Sequence, residues 1–168
     1  MQVYCGNGKG KTTAAVGQTV RAVGNGYTVF FIQFLKTRDR SGEIRVFDTL
    51  TGVESKSFGT GRFLKPSTIH DDDRKLAQSA IEYVRGIVDK KAVDMLVLDE
   101  IGGALELGLI TEDAVNDLLE RGRGWLDVVL TGRVFPESLL KRADLVTRMN
   151  AEKHHIDSGK NARRGIEY

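Results

Sequence analysis

A chain of 168 residues with 25 Lys and Arg against 23 Asp and Glu has a formal net charge of +2, so bulk electrostatics announce neither a nucleic-acid binder nor a membrane-surface protein. Its 19 glycines come with 2 prolines and follow no Gly-X-Y period, which excludes collagen and proline-rich linkers. Length favours a single domain over residues 1–168. The lone Cys5 cannot form an internal disulfide, and the apolar runs Tyr27 to Leu35 and Met95 to Leu98 fall short of the roughly 20 residues of a membrane helix. A soluble cytoplasmic chain with no secretory h-region, no membrane association and no nucleic-acid partner is therefore expected.

The first element in chain order is a short β-prone stretch, Gln2 to Cys5, which runs into Gly6-Asn7-Gly8-Lys9-Gly10-Lys11-Thr12-Thr13. Ala14, Ala15, Val16 and Val20 to Val23 then suit a buried helix, stopped at Gly24-Asn25-Gly26. Tyr27 to Phe34 is almost continuously apolar, as expected of a strand buried on both faces of a parallel sheet. Ile44, Phe47 and Leu50 predict a short helix after Ser41-Gly42-Glu43, with a return strand at Val53 to Phe58. Asp71-Asp72-Asp73 precedes Leu76, Ala77, Ala80, Ile81, Val84, Ile87 and Val88, an amphipathic helix with acids at its positive end, stopped at Asp89-Lys90-Lys91. Met95 to Leu98 is an apolar strand closing on Asp99-Glu100, followed by a helix from Thr111 to Glu120 and strands at Leu126 to Thr131 and Leu145 to Met149. Alternating strands and helices predict an α/β three-layer sandwich with a mostly parallel sheet.

Strand, glycine-rich loop and helix, closed by Lys11-Thr12, are the parts of a phosphate cradle. Glycines let backbone N–H groups converge on phosphate oxygens, the helix start adds free N–H groups and its positive dipole end, and Lys11 adds a point charge. The Thr12 hydroxyl is placed to coordinate Mg²⁺. Against the pattern G-x-x-x-x-G-K-[ST] the leading position falls on Cys5, while Gly6 and Gly8 move the flexibility inside the loop. The candidate nucleotide site is thus Gly6, Asn7, Gly8, Lys9, Gly10, Lys11, Thr12 and Thr13, with Arg133 beyond a later strand. Asp99 and Glu100, at the end of an apolar strand, are candidate partners of Thr12 for the metal. Lys11, Thr12 and Glu100 are the candidate catalytic residues. On these residues alone the reaction stays open among a P-loop ATPase or kinase, with Glu100 orienting a water and Arg133 steadying charge, and a non-catalytic ATP-sensing module.

The string Gly6 to Ala15 resembles the ATP loop of the corrinoid adenosyltransferases of the cobalamin pathway. The resemblance extends through Phe31 to Lys36, Gly42-Glu43, Leu98-Asp99-Glu100, Leu130 to Arg133, Ala143 to Thr147, Lys153-His154 and Ala162 to Tyr168, in the family's order. It implies a RecA-like P-loop fold, ATP as co-substrate, Mg²⁺, and transfer of a 5′-deoxyadenosyl group to the cobalt(I) of a corrinoid such as cobalamin, with release of triphosphate. It also implies ATP laid in the loop in the reverse direction, an external reductant such as a reduced flavoprotein, and a homodimer. Cobalt(I) is itself a nucleophile, so the protein has to position it and stabilise a leaving triphosphate.

This chain departs from the family's pattern at several points. Many members carry a leader before the first strand, which here begins at residue 2, so the cover of the active site is unassigned. The family's Gly-Phe-Thr-Trp block is replaced by Gly59 to Leu64, with Phe58 or Phe63 as the apolar wall toward the corrin. Arg148 stands in place of an acid and His155 in place of a proline. His70, His154 and His155 lack metal-ligand spacing. Cys5 and Trp125 read as packing residues, and the tail cations Lys153, Lys160, Arg163 and Arg164 suit ATP phosphates or a corrin amide better than nucleic acid.

Overall fold

The computed structural model describes residues 1–154, 159 and 161–166. The strands are β1 (Gln2–Cys5), β2 (Val29–Phe34), β3 (Val53–Phe58), β4 (Met95–Asp99), β5 (Asp127–Thr131) and β6 (Leu145–Arg148). The helices are α1 (Lys11–Gly24), α2 (Gly42–Phe47), α3 (Asp71–Asp89), α4 (Ile101–Glu106), α5 (Glu112–Arg121) and α6 (Glu137–Arg142). The six strands form a single sheet in the order β3-β2-β4-β5-β1-β6, and every pairing is parallel. Strand β5 therefore separates β1, which feeds the phosphate loop, from β4, which ends on Asp99.

Parallel strands need crossovers, and these cover both faces of the sheet. Side chains of period two divide accordingly. Phe30, Ile32, Phe34, Leu96, Leu98, Val128 and Leu130 face a core closed by α3, α5 and α4, through residues such as Ala80, Val84, Leu118 and Ile101. Val29, Phe31, Met95, Val97 and Val129 face a second core closed by Ala15 and Ala22 of α1 and by Ile44 and Phe47 of α2. Phe31 and Phe47 meet with ring centroids 5.0 Å apart. The expected three-layer α/β sandwich is thus present, and its sheet is entirely parallel.

Corrections are local. Helix α1 buries Ala15, Thr19 and Ala22, so Val20 lies on its outer side at 50% exposure instead of in the core. Helices α4 and α6, six residues each, were not expected from periodicity. Helix α4 opens Ile101-Gly102-Gly103, and a glycine stands at 102 because β5 ends close by. A Cβ on Gly132 would come within 2.5 Å of Gly102 Cα, which brings the turn after Thr131 against the turn after Asp99.

All six strands point their C-terminal ends to one edge of the sheet, where α/β proteins bind ligands. Cys5, Gln33, Asp99 and Thr131 mark that edge on four neighbouring strands. Among the described residues, no helix is long and apolar enough to cross a membrane.

Candidate active site

The phosphate loop leaves β1 at Cys5, which is 1% exposed and packs in the core, as read. Gly6 and Gly10 take φ values of 105° and 115°, a region that side chains with a Cβ rarely adopt. Gly6 and Gly8 also make room for the chain after β6. A Cβ on Gly6 would lie 2.5 Å from the Met149 carbonyl oxygen, and one on Gly8 would lie 2.7 Å from it. The Gly8 N–H donates to that same oxygen at 2.7 Å, and the Gly6 N–H donates to the Arg133 carbonyl at 2.9 Å. Two of the loop's N–H groups thus brace the cradle. The start of α1 carries no side-chain cap, which leaves the N–H groups of its first turn for an anion.

Lys11 folds back over the loop, its Nζ donating to the carbonyls of Gly6 at 2.8 Å and Gly8 at 2.7 Å. Burial is the main reason its pKa lies below the ordinary lysine value; Glu100 opposes the shift and Arg133 adds to it. Asn7 Oδ1 accepts from the Ala151 N–H at 3.4 Å, tying the loop to the segment after β6. Lys9 and Thr13 are exposed at its rim.

Asp99 is the centre of the polar network. It is fully buried, and its Oδ1 accepts from Thr12 Oγ1 at 2.9 Å and from Thr131 Oγ1 at 2.7 Å. Its Oδ2 accepts from Lys36 Nζ at 2.7 Å. Thr131 Oγ1 in turn accepts the Glu100 backbone N–H at 2.8 Å. Gln33, also fully buried, donates to Glu43 at 2.8 Å and accepts from Ser57 Oγ at 2.8 Å, which joins β2, β3 and α2.

Glu100 does not share the position of Asp99. With φ at 61° it turns the chain from β4 into α4, and its carboxyl faces a different cleft. Burial, reinforced by the neighbouring Asp99 charge, raises its pKa, while Lys36, Lys11 and Arg133 oppose the rise. A carboxyl whose pKa is higher folded than unfolded favours the folded state most when protonated, and that contribution is lost as pH rises through the folded value. Glu100→Gln should therefore be more stable than wild type at neutral pH. Urea unfolding at several pH values should show the gap closing as pH falls below the ordinary carboxylate range.

Two clefts on this edge share Lys36. The first, of about 510 Å³, is lined by Thr12, Thr13, Lys36, Arg40 and Glu43, with Ile166 from the chain's last described segment. The second, of about 530 Å³, is lined by Leu35, Lys36, Phe63, Glu100, Leu107 and Arg133. Phe63, 78% exposed, stands in the second cleft, whereas Phe58 is 7% exposed and packs on Tyr83 with centroids 5.8 Å apart. Of the two candidate wall residues, Phe63 is the one on the open face.

The loop carrying Phe63 is held by Asp73, which is 4% exposed. It accepts from Thr60 Oγ1 at 2.8 Å, from Arg62 Nη2 at 2.9 Å and from the His70 N–H at 2.9 Å. The sequence suggested for Asp73 a favourable interaction with the dipole of α3; it also anchors the Gly59–Leu64 loop. Lys36, Thr131, Gln33 and Met149 likewise carry no site role in the sequence reading. Lys36 lay inside a block used for the family resemblance, which was the available signal. His155, Lys160, Glu167 and Tyr168 lie outside the described residues.

A glycine-rich loop opening a helix start, a lysine over the loop, and a threonine bonded to an aspartate at the end of a nearby strand define a P-loop nucleotide-binding α/β protein. The comparisons with known proteins narrow the class. Residues 1–168 match the family described as ATP:corrinoid adenosyltransferase BtuR/CobO/CobP, and the chain belongs to it. It is 33% identical over 166 residues to the corrinoid adenosyltransferase CobA of Salmonella typhimurium, covering 99% of this chain and 84% of that one. The corrinoid adenosyltransferase of Escherichia coli K12 is 32% identical over the same shares of both chains. That of Pseudomonas aeruginosa is 31% identical, over 99% of this chain and 82% of its own. The chain is therefore an alkyl-group transferase acting in cobalamin metabolism, with ATP and a corrinoid as its substrates.

Proposed function

We propose that the protein, acting as one domain, joins the 5′ carbon of ATP to the cobalt(I) of a corrinoid and releases triphosphate. The observation that carries this reading is the pair of clefts meeting at Lys36, one at the uncapped start of α1 and one walled by an exposed aromatic. The triphosphate belongs in the first, against Gly6 to Thr13. The flat, largely apolar corrin belongs in the second, against Leu35, Phe63 and Leu107. Cobalt then approaches the ribose from the side of Glu100 and Arg133.

The chemistry demands little acid or base work. Cobalt(I), produced by an external reductant such as a reduced flavoprotein, supplies both electrons of the new bond to C5′. The C5′–O bond breaks, triphosphate leaves with that electron pair, and cobalt becomes formally cobalt(III). The chain's tasks are alignment of the two reactants and stabilisation of charge growing on the leaving triphosphate. Lys11, the N–H groups at the start of α1, Lys36 and Arg133 supply that stabilisation.

Mg²⁺ fits the donors present. Thr12 Oγ1 and the Asp99 carboxylate are hard oxygen ligands that already share a cationic partner, the Lys36 ammonium. Among the described residues no cluster of three or more His, Cys, Asp or Glu forms a metal site, which suits Mg²⁺, an ion held by one or two protein oxygens with phosphate oxygens and water as its other ligands. Thr12 and Asp99 would hold the ion, and the ion would neutralise the triphosphate.

Phe63→Ala removes an apolar wall worth about 1.5–3 kcal/mol when fully covered. It should lower kcat/KM for the corrinoid about 10- to 100-fold and leave the KM for ATP unchanged. Steady-state kinetics with each substrate varied in turn read this split directly. The reading itself is tested by mixing the protein with ATP, Mg²⁺ and chemically reduced cobalamin. A light-sensitive alkyl-cobalt spectrum supports it. Formation of ADP and phosphate without that spectrum would replace it with an ATPase, and ATP binding with neither product would replace it with a sensor.

A further inference from the structure

Lys36 follows β2 and reaches the middle of the site, donating to Asp99 Oδ2 at 2.7 Å and to Thr12 Oγ1 at 2.9 Å. The Thr12 hydroxyl gives its own proton to Asp99 Oδ1, so its lone pairs are free to accept from the lysine. The arrangement is built into the backbone. Leu35 precedes Lys36 at φ 61°, an uncommon left-handed conformation for a leucine, and its N–H is held by the Phe58 carbonyl at 3.0 Å. Gly59 packs directly on this turn, where a Cβ would lie 2.3 Å from Leu35 C and 2.4 Å from Lys36 N. A strained turn, a glycine that admits it and a lysine bridging two oxygens form one device.

We propose that Lys36 is a tethered stand-in for the divalent cation: its ammonium balances Asp99 while the site is empty and leaves Thr12 and Asp99 when the metal arrives with the triphosphate. This rests on the assignment of the metal to Thr12 and Asp99. A fully buried carboxylate with no counter-charge is costly, so the empty site needs a cation of its own. An ammonium and a divalent ion cannot hold the same two oxygens, because at such separations like charges repel strongly. The metal alone therefore competes with the lysine and binds weakly. Phosphate oxygens tip the competition by adding ligands to the metal and a new anionic partner for the freed ammonium, which already lines both clefts. Metal and nucleotide load together as a result.

The test is a titration with Mn²⁺, as a paramagnetic probe, followed by electron spin resonance on wild type, Lys36→Met and Asp99→Asn. Without nucleotide, Lys36→Met should bind Mn²⁺ about tenfold or more tightly than wild type, since the competing charge is gone. Mn²⁺ should also raise its Tm further than it raises that of wild type. Should Lys36→Met not fold, Lys36→Gln keeps a donor to Asp99 without the charge and carries the same expectation. With ATP present, Asp99→Asn should lose the ion that wild type holds. If Asp99→Asn keeps it, the metal assignment fails and the stand-in with it. If Asp99→Asn loses it while folded Lys36→Met binds Mn²⁺ no tighter than wild type, the stand-in alone is overturned.

Discussion

Lys11→Ala should lower adenosyl transfer by about 10²- to 10³-fold, the effect of removing one preorganised group that stabilises developing charge. The Lys11 ammonium lies across the loop on the Gly6 and Gly8 carbonyls, within 2.8 Å of both. A triphosphate offers that ammonium stronger, charged acceptors in the same concavity. The substitution therefore removes a contact that strengthens as the C5′–O bond breaks, and kcat should fall along with kcat/KM. Lys11→Arg should not restore the rate, because a planar guanidinium cannot replace a compact ammonium inside a loop closed by Met149. Steady-state kinetics with reduced corrinoid in excess measure both variants. Activity within about twofold of wild type for Lys11→Ala would place the triphosphate elsewhere.

Asp99→Asn should have an effect of similar size by another route. The substitution keeps volume and removes the charge on which Thr12, Thr131 and Lys36 converge. Two losses follow. The Mg²⁺ requirement should weaken or vanish as transfer falls by about 10²-fold or more, since the ion loses its anionic protein ligand. Stability should fall by about 1.5–3 kcal/mol, the worth of a hydrogen bond to a charged group, because Lys36 keeps its charge and loses its partner. Burial by itself would lower the Lys36 pKa, and the Asp99 carboxylate, with Glu100 and Glu43 adding to it, outweighs burial and raises it. A base with a raised folded pKa contributes stability that is complete below its unfolded value and is lost as pH rises through the folded one. The gap between wild type and Asp99→Asn should therefore show no change from Lys36 titration near neutrality and narrow at strongly alkaline pH. Unfolding midpoints across pH, together with Mg²⁺ titrations of the rate, check both halves.

Much of the scaffold was legible because its signals are local. A strand buried on both faces reads as an apolar run, which located β2 within Tyr27 to Phe34, two residues longer than the strand itself, and β4 at Met95 to Leu98, and the phosphate loop announces itself through Gly6, Gly8, Gly10 and Lys11. The end of β4 also marked Asp99. The missed helices are short and begin in unusual ways, α4 on Ile101-Gly102-Gly103 after a left-handed Glu100 and α6 behind Pro136. Six residues give too few turns for a 3.6-residue period to emerge.

The site was harder to read where its parts are brought together by the sheet. Nothing near Lys36 in sequence indicates that it meets a residue 63 positions away, because the meeting depends on β2 lying beside β4. The separation of Asp99 from Glu100 is likewise tertiary. Adjacent carboxylates suggest a joint metal site, whereas Asp99 is fully buried beneath Thr12 and Lys36 and the left-handed turn at Glu100 sets its side chain on the cleft of Phe63. Gly6 and Gly8 were legible as flexible points, but their packing against Met149 follows from β6 lying beside β1. The double duty of Asp73, at the start of α3 and under the Phe63 loop, required the fold as well.

The central claim, that cobalt attacks the ribose and not a phosphorus, is tested most directly by counting products in a single reaction. Reduced corrinoid in excess over ATP, with the protein and Mg²⁺, should give triphosphate and alkyl-cobalt in equal amounts, with the 5′ carbon of isotopically labelled ATP bound to cobalt. Label remaining in ADP, with inorganic phosphate in place of triphosphate, would contradict it.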